Sequence, residues 1–237
     1  MNIIYSIFII LIFSLSVQQG KKEIARPSEY LSDIKTEFKK EWPKNRTINL
    51  VFHGHSVPAG YFVTPEVNTF DSYPFLLLKE LKALYPYAVI NVINTSIGGE
   101  NSISGEKRFE SDVLIHKPDV IFIDYALNDR SCGLDKSKKA WESMLRKAIK
   151  NNIKVILLTP SPDQRVNILE PNNDIEKHTL QIRELAKEFG VGLVDSYKIF
   201  KQIAFAGDSI SDYMSQVNHP NKKGHSLIAN EILKYFK

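Results

Sequence analysis

Apolar residues fall along this chain in two alternating kinds of run. Short runs rich in β-branched residues recur at 48–52, 88–92, 120–125, 154–158 and 191–194. Between them lie longer stretches with apolar positions three and four apart, as in 70–85, where Phe75, Leu76, Leu78, Leu81 and Leu84 mark one helical face. Stretches 136–150, 175–189 and 222–236 read the same way, and Gly190 supplies a stop for the middle one. An earlier helix is predicted over 28–42, with Ser28 as N-cap after Pro27 and Pro43-Lys44-Asn45 as terminator. Five mostly apolar strands separated by helices imply a parallel sheet covered on both faces. Right-handed crossovers then make it doubly wound, with any ligand beyond the carboxyl ends of the strands.

What lies at those ends is polar. His53-Gly54-His55-Ser56-Val57-Pro58-Ala59-Gly60 follows the first strand, Asn94-Thr95-Ser96-Ile97-Gly98-Gly99 the second, and Ala126-Leu127-Asn128-Asp129 the third. Gln216-Val217-Asn218-His219-Pro220 precedes the last helix. Each segment alone is a turn or a cap. Gathered on one sheet edge they offer a hydroxyl, an imidazole, glycine N–H groups and a carboxamide, the parts needed for nucleophilic attack on a carbonyl. His53 and His55 lack a third ligand at metal-binding spacing, so no metal is expected.

The four segments, in this order, resemble the sequence blocks of the SGNH, or GDSL-like, hydrolases. Gly54-His55-Ser56 with Gly60 stands for the first block, where the family has Gly-Asp-Ser. Asn94, Ser96 and Gly99 match the second. Asn128 matches the third, with Ala126 in place of its glycine. His219-Pro220 matches the last, but the aspartate three residues before the histidine is Gln216. The resemblance covers 48 to the C-terminus. It implies a three-layer α/β/α sandwich with a flavodoxin-like five-stranded parallel sheet, and a serine esterase that needs no cofactor. Ser56 would be the nucleophile, His219 its base, and Ser56 N–H, Gly99 N–H and the Asn128 amide the oxyanion hole. A Gln216 carbonyl can accept Nδ1–H and hold the histidine tautomer. Asp212, about one helical turn earlier, is a second candidate for the third member, and an unaided Ser-His dyad is the third. A literal Gly207-Asp208-Ser209 follows a helical segment instead of the first strand, so Ser209 is read as a decoy, and Cys132 has no matching context.

Composition narrows the partners. Residues 3–17 are uncharged and, apart from Tyr5, Ser6, Ser14 and Ser16, apolar; the run is shorter than the ~20 residues of a membrane span, and Gln18-Gln19-Gly20-Lys21-Lys22 follows. This predicts a signal peptide over 1–20, with an uncleaved anchor as the alternative, a helical appendage over 21–47 and a hydrolase domain over 48–237, with export to a secreted or periplasmic location and no stable membrane span after removal. Lysine pairs are scattered among acidic residues, so a net charge of +4 gives no nucleic-acid surface. With export, a small ester or an acylated glycan carrying a short acyl group such as acetyl is the expected substrate. An acyltransferase with the same Ser-His pair, or a carbohydrate-binding protein that has lost catalysis, are the alternatives.

Overall fold

The first strand is the axis of the molecule. In the computed structural model, which describes residues 22–237, β1 (Thr47–Gly54) lies between β2 (Val89–Asn94) and β3 (Val120–Asp124). Then come β4 (Lys154–Leu158) and β5 (Gly192–Val194). The sheet order is β2-β1-β3-β4-β5, and every pairing is parallel. This is the flavodoxin-like doubly wound order, whose direction reverses between β1 and β3. The register pairs Gly54 with Asp124, so both strands end level at that switch point. The two-residue period of a strand sends alternate side chains to opposite faces. Leu50, Phe52, Val120 and Phe122 enter one core, and Val51, Ile121 and Ile123 the other.

Helices α1 (Pro27–Tyr30), α2 (Ser32–Phe38), α4 (Tyr73–Leu84), α9 (Ser196–Phe205) and α10 (Lys222–Leu233) cover the first core. The longer α7 (Leu134–Lys150) and α8 (Asp174–Phe189) cover the second. The segment expected as an appendage belongs to the first core: Leu31, Ile34 and Phe38 are buried, and Phe38 stacks on Phe236. Its expected single helix is two, broken at the fully buried Leu31, and it starts one residue early because Pro27 fits the first helical position. Likewise α4 begins at Tyr73 and not at 70, since Pro74 is tolerated only in a first turn. Three short helices between strands, α3 (Ser56–Ala59), α5 (Ser102–Lys107) and α6 (Phe109–Asp112), lack a long enough period to be read in advance, as does the hairpin of β6 (Met214–Gln216) with β7 (His219–Pro220). Among the described residues no helix is long and apolar enough to cross a membrane. The expected signal peptide lies outside the described residues.

Candidate active site

The loop that carries Ser56 begins with a close approach. A Cβ on Gly54 would lie 2.5 Å from the Asp124 carbonyl oxygen and 2.7 Å from Pro58, so only glycine lets β1 turn here. His55 then caps α3, its Nδ1 accepting from Val57 N–H at 3.2 Å. Its Nε2 therefore bears the proton and faces Asp124 Oδ1 at 3.4 Å, both groups buried. Tyr73 donates its hydroxyl to the other Asp124 oxygen at 3.1 Å. The family's aspartate at position 55 is thus a histidine, and a carboxylate at the end of the neighbouring strand backs it.

Ser56 opens α3 and is mostly buried, with its Oγ 2.9 Å from His219 Nε2. Residues 163 apart in sequence meet because the β6–β7 hairpin brings the histidine over the sheet edge. Gln164 holds that hairpin, its N–H donating to the Val217 carbonyl and its side chain to that of Gln216. Asn221 then caps α10 through Lys223 and Gly224 N–H. Burial lowers the His219 pKa below the ordinary histidine value; the Phe62 carbonyl opposes this and the adjacent His55 adds to it.

The expected oxyanion donors lie on the segments that follow β1, β2 and β3. Among the described residues, the N–H groups of Ser56 and Gly99 donate to no protein acceptor. Gly99 has φ +81°, and a Cβ there would meet nothing within 4 Å. Its glycine is required by backbone conformation, not by the close packing that explains Gly54. Asn94 ties its loop to the one that carries Ser56, donating to the Pro58 carbonyl at 2.6 Å and accepting from Ser96 N–H. Asn128 Nδ2 gives one hydrogen to the Glu100 carbonyl at 2.8 Å, leaving the second N–H of that amide for a ligand. Glu100 is in turn fixed by Arg108. Asp129, buried beside Asn128, accepts from Ser102 N–H and Trp141 Nε1–H. It is a hub of the fold, and burial raises its pKa.

The position of the missing aspartate is filled differently from expectation. Gln216 reaches His219 Nδ1 at 2.7 Å, but with its amide nitrogen. Its carbonyl is already engaged by Thr64 N–H at 3.0 Å. A second group, the main-chain carbonyl of Phe62, lies 2.9 Å from the same Nδ1. Asp212 is exposed on the turn before β6 and makes no hydrogen bond to His219. The other candidates lie apart. Ser209 is exposed, its hydroxyl paired with that of Ser211. Cys132 points its thiol at the Asp129 carbonyl, and burial raises its pKa. Both ring nitrogens of His53 are occupied, by Thr95 Oγ1 and the Gly105 carbonyl.

The sequence profile of the GDSL-like lipase/acylhydrolase family matches residues 52–227. An acetylxylan esterase of Geobacillus stearothermophilus is 26% identical over 173 residues, 65% of this chain and 75% of that one. An uncharacterized lipoprotein, YqeF, of Bacillus subtilis is 24% identical, covering 60% and 72%. Among solved structures, a two-domain esterase active on acetylated mannans superposes with TM-score 0.73 at 22% identity over 91% of this chain, which spans about half, 54%, of that protein. Axe2, an acetylxylan esterase from Geobacillus stearothermophilus, superposes with TM-score 0.69 at 22% identity, over 80% of this chain and 94% of that one. Solved variants of Axe2 described as catalytic mutants alter a serine, a histidine and an aspartate. On the span of the family match and the fold it shares with these enzymes, this chain belongs to the GDSL-like lipase/acylhydrolase family and is a carboxylic ester hydrolase.

Proposed function

We propose that this protein is an exported serine esterase that removes short acyl groups, acetyl foremost, from a carbohydrate through an acyl-enzyme on Ser56. The observation that carries this reading is the 2.9 Å contact between Ser56 Oγ and His219 Nε2; the N–H groups of Ser56 and Gly99, which donate to no protein acceptor among the described residues, are left as donors for a ligand. A serine hydroxyl is a weak nucleophile until a base takes its proton. His219 Nε2 accepts it as Oγ bonds to the ester carbon. The carbonyl oxygen becomes an oxyanion, which Ser56 N–H, Gly99 N–H and the second Asn128 N–H stabilise. The C–O bond to the sugar then breaks, and His219 returns its proton to the leaving alkoxide. Water repeats the sequence, giving acetate and free Ser56.

The glycan assignment draws support from the relatives, whose descriptions name acetylated xylan and acetylated mannan. The uncharged N-terminal run supports export. The test compares wild type with Ser56→Ala on p-nitrophenyl acetate, then on acetylated xylan and mannan with acetate release as readout. Activity in the wild type that falls to background in the variant is expected, with covalent labelling of Ser56 by a fluorophosphonate. Equal rates in both proteins, or no labelling, would overturn it.

A further inference from the structure

For Nε2 of His219 to accept the Ser56 proton, Nδ1 must already hold one, and some group must accept it. The family's sequence block has an aspartate three residues before the histidine; this chain has Gln216. Two groups approach Nδ1, and they differ in what they can do. The Gln216 nitrogen only donates, so it pairs with Nδ1 only in the tautomer that leaves Nε2 protonated and unable to act as base. The Phe62 carbonyl only accepts, so it pairs with Nδ1 only in the reactive tautomer.

The surroundings hold that carbonyl in place. Residues 61–67 form a short loop closed by Phe62 N–H on the Glu66 carbonyl, by Glu66 N–H on the Val63 carbonyl and by a bridge between Tyr61 and Val67. The Phe62 ring is buried and stacks on His225 with centroids 5.3 Å apart and planes 10° from parallel. His225 is itself fully buried on α10 and accepts from Tyr73 N–H on α4. On the far side, Thr64 N–H is anchored on the Gln216 carbonyl, which keeps the amide turned with its nitrogen toward the imidazole. A side chain in the core and a hydrogen bond on the hairpin thus fix one main-chain oxygen between them.

Resting on the esterase reading above, we propose that the Phe62 carbonyl replaces the absent carboxylate: it accepts the Nδ1–H of His219, selects the tautomer that frees Nε2 for Ser56, and remains the Nδ1–H partner of the imidazolium. Phe62 acts through His219, so it is a positioning residue, and it acts by its backbone, which no side-chain substitution removes. Gln216 then has a second role from the one expected: it braces the 61–67 loop through Thr64 while its nitrogen opposes the reactive tautomer.

The test is a main-chain substitution in the full chain: the amide between Phe62 and Val63 becomes an ester by incorporating the α-hydroxy analogue of valine at 63. An ester carbonyl is a weaker acceptor, and the Val63 N–H that is lost donates to nothing among the described residues. With the fold intact by circular dichroism, kcat on p-nitrophenyl acetate is expected to fall about tenfold, the effect of weakening one hydrogen bond in the transition state, with KM unchanged. In 15N-histidine spectra, the His219 signal, identified by its loss in His219→Asn, should move toward the Nε2–H tautomer. Gln216→Met, which removes both carbonyl and amide, should keep the Nδ1–H tautomer. An ester protein with unchanged kcat and tautomer would overturn the proposal, and so would a Gln216→Met protein switched to Nε2–H. The tautomer is read without substrate, so failure of the esterase reading, shown by a rate indifferent to Ser56→Ala, remains separate.

Discussion

At position 216 a single atom bears on His219, the proposed base, whose pKa is set first by burial. The amide nitrogen beside Nδ1 is unfavourable for imidazolium, which needs an acceptor there, and burial already lowers the His219 pKa. The neutral imidazole therefore persists below the ordinary value of 6.5, and the acid limb of kcat/KM is expected below that pH. Activity is lost only as pH falls through the lowered pKa. Gln216→Glu keeps an oxygen for Thr64 N–H and turns the donor into a carboxylate. The limb should then rise by on the order of one pH unit, and kcat should increase, because the forming imidazolium gains a charged partner. A pH profile of both proteins checks this; an unmoved limb would mean that the 216 side chain does not influence the imidazole. Asn128 is the other residue with a single measurable atom. Asn128→Ala removes one donor of the proposed oxyanion hole and is expected to reduce kcat by about 100-fold or more with little change in KM.

Among the elements, the join between β1 and α3 has the least freedom. Gly54→Ala places a Cβ against the Asp124 carbonyl and Pro58, both of which are held by the sheet and the short helix. Strand β1 must move away from β3, and overpacking of this kind costs about 1–3 kcal/mol. Chemical denaturation should show that loss, and kcat should fall with it, since Ser56 follows two residues later. Gly99→Ala has open space before it, so its cost is strain at φ +81° and obstruction of the site, not collision. Sequence and structure agree closely where elements are long and periodic: β4 is found at the expected residues, and α7 and α8 differ by one or two at their starts. Pro74 carries a boundary signal that the apolar spacing of α4 overrode, and α9 hides behind Asp195, whose side chain caps it by accepting from Lys198 N–H. Ser56, Gly99, Asn128 and His219 stand out in the sequence as candidates because each sits in a motif with a fixed place after a strand or before a helix, and the fold brings Ser56 and His219 together. Phe62 had no such signal, for a main-chain carbonyl has no residue type. Asp124 had a faint one, a charge closing an otherwise apolar strand.

For the whole molecule, two buried histidines set how stability responds to acid. His53 is held between Thr95 and Gly105, and burial pushes its pKa down to about 3, with Arg108 adding to the effect. His225, between Phe62 and Tyr73, is also pushed down to about 3 by burial. In the unfolded chain both take a proton near 6.5, whereas in the fold both stay neutral until about pH 3. Their contribution to stability is therefore complete above 6.5 and is lost steadily as pH falls below it. Each such group gives a slope of about 1.4 kcal/mol per pH unit, so the pair gives about 3. Asp129 works in the other direction, because its pKa is raised by burial and its penalty eases as it takes a proton. Asp163 reinforces the histidines only at lower pH: Arg165 and Arg130 hold its carboxylate down at about 2 against the cost of burying it. Urea denaturation between pH 7 and pH 4.5 should thus show stability falling with a slope of about two protons per molecule from this pair, to which His178 and His219, also lowered by burial, add in the milder part of the range. Replacing His53 by Gln, which can still meet Thr95 and Gly105, should remove about one proton from that slope even if it lowers stability at pH 7. A slope unchanged by that substitution would mean that His53 takes its proton inside the fold, and that acid sensitivity arises elsewhere. His225 matters for more than stability, because its neutral ring carries the Phe62 face that orients His219. Acid that charges it would release the active-site carbonyl and the core together, so activity lost at the acid limb of His219 should be recoverable on neutralisation, while activity lost once His225 takes its proton should return only with refolding.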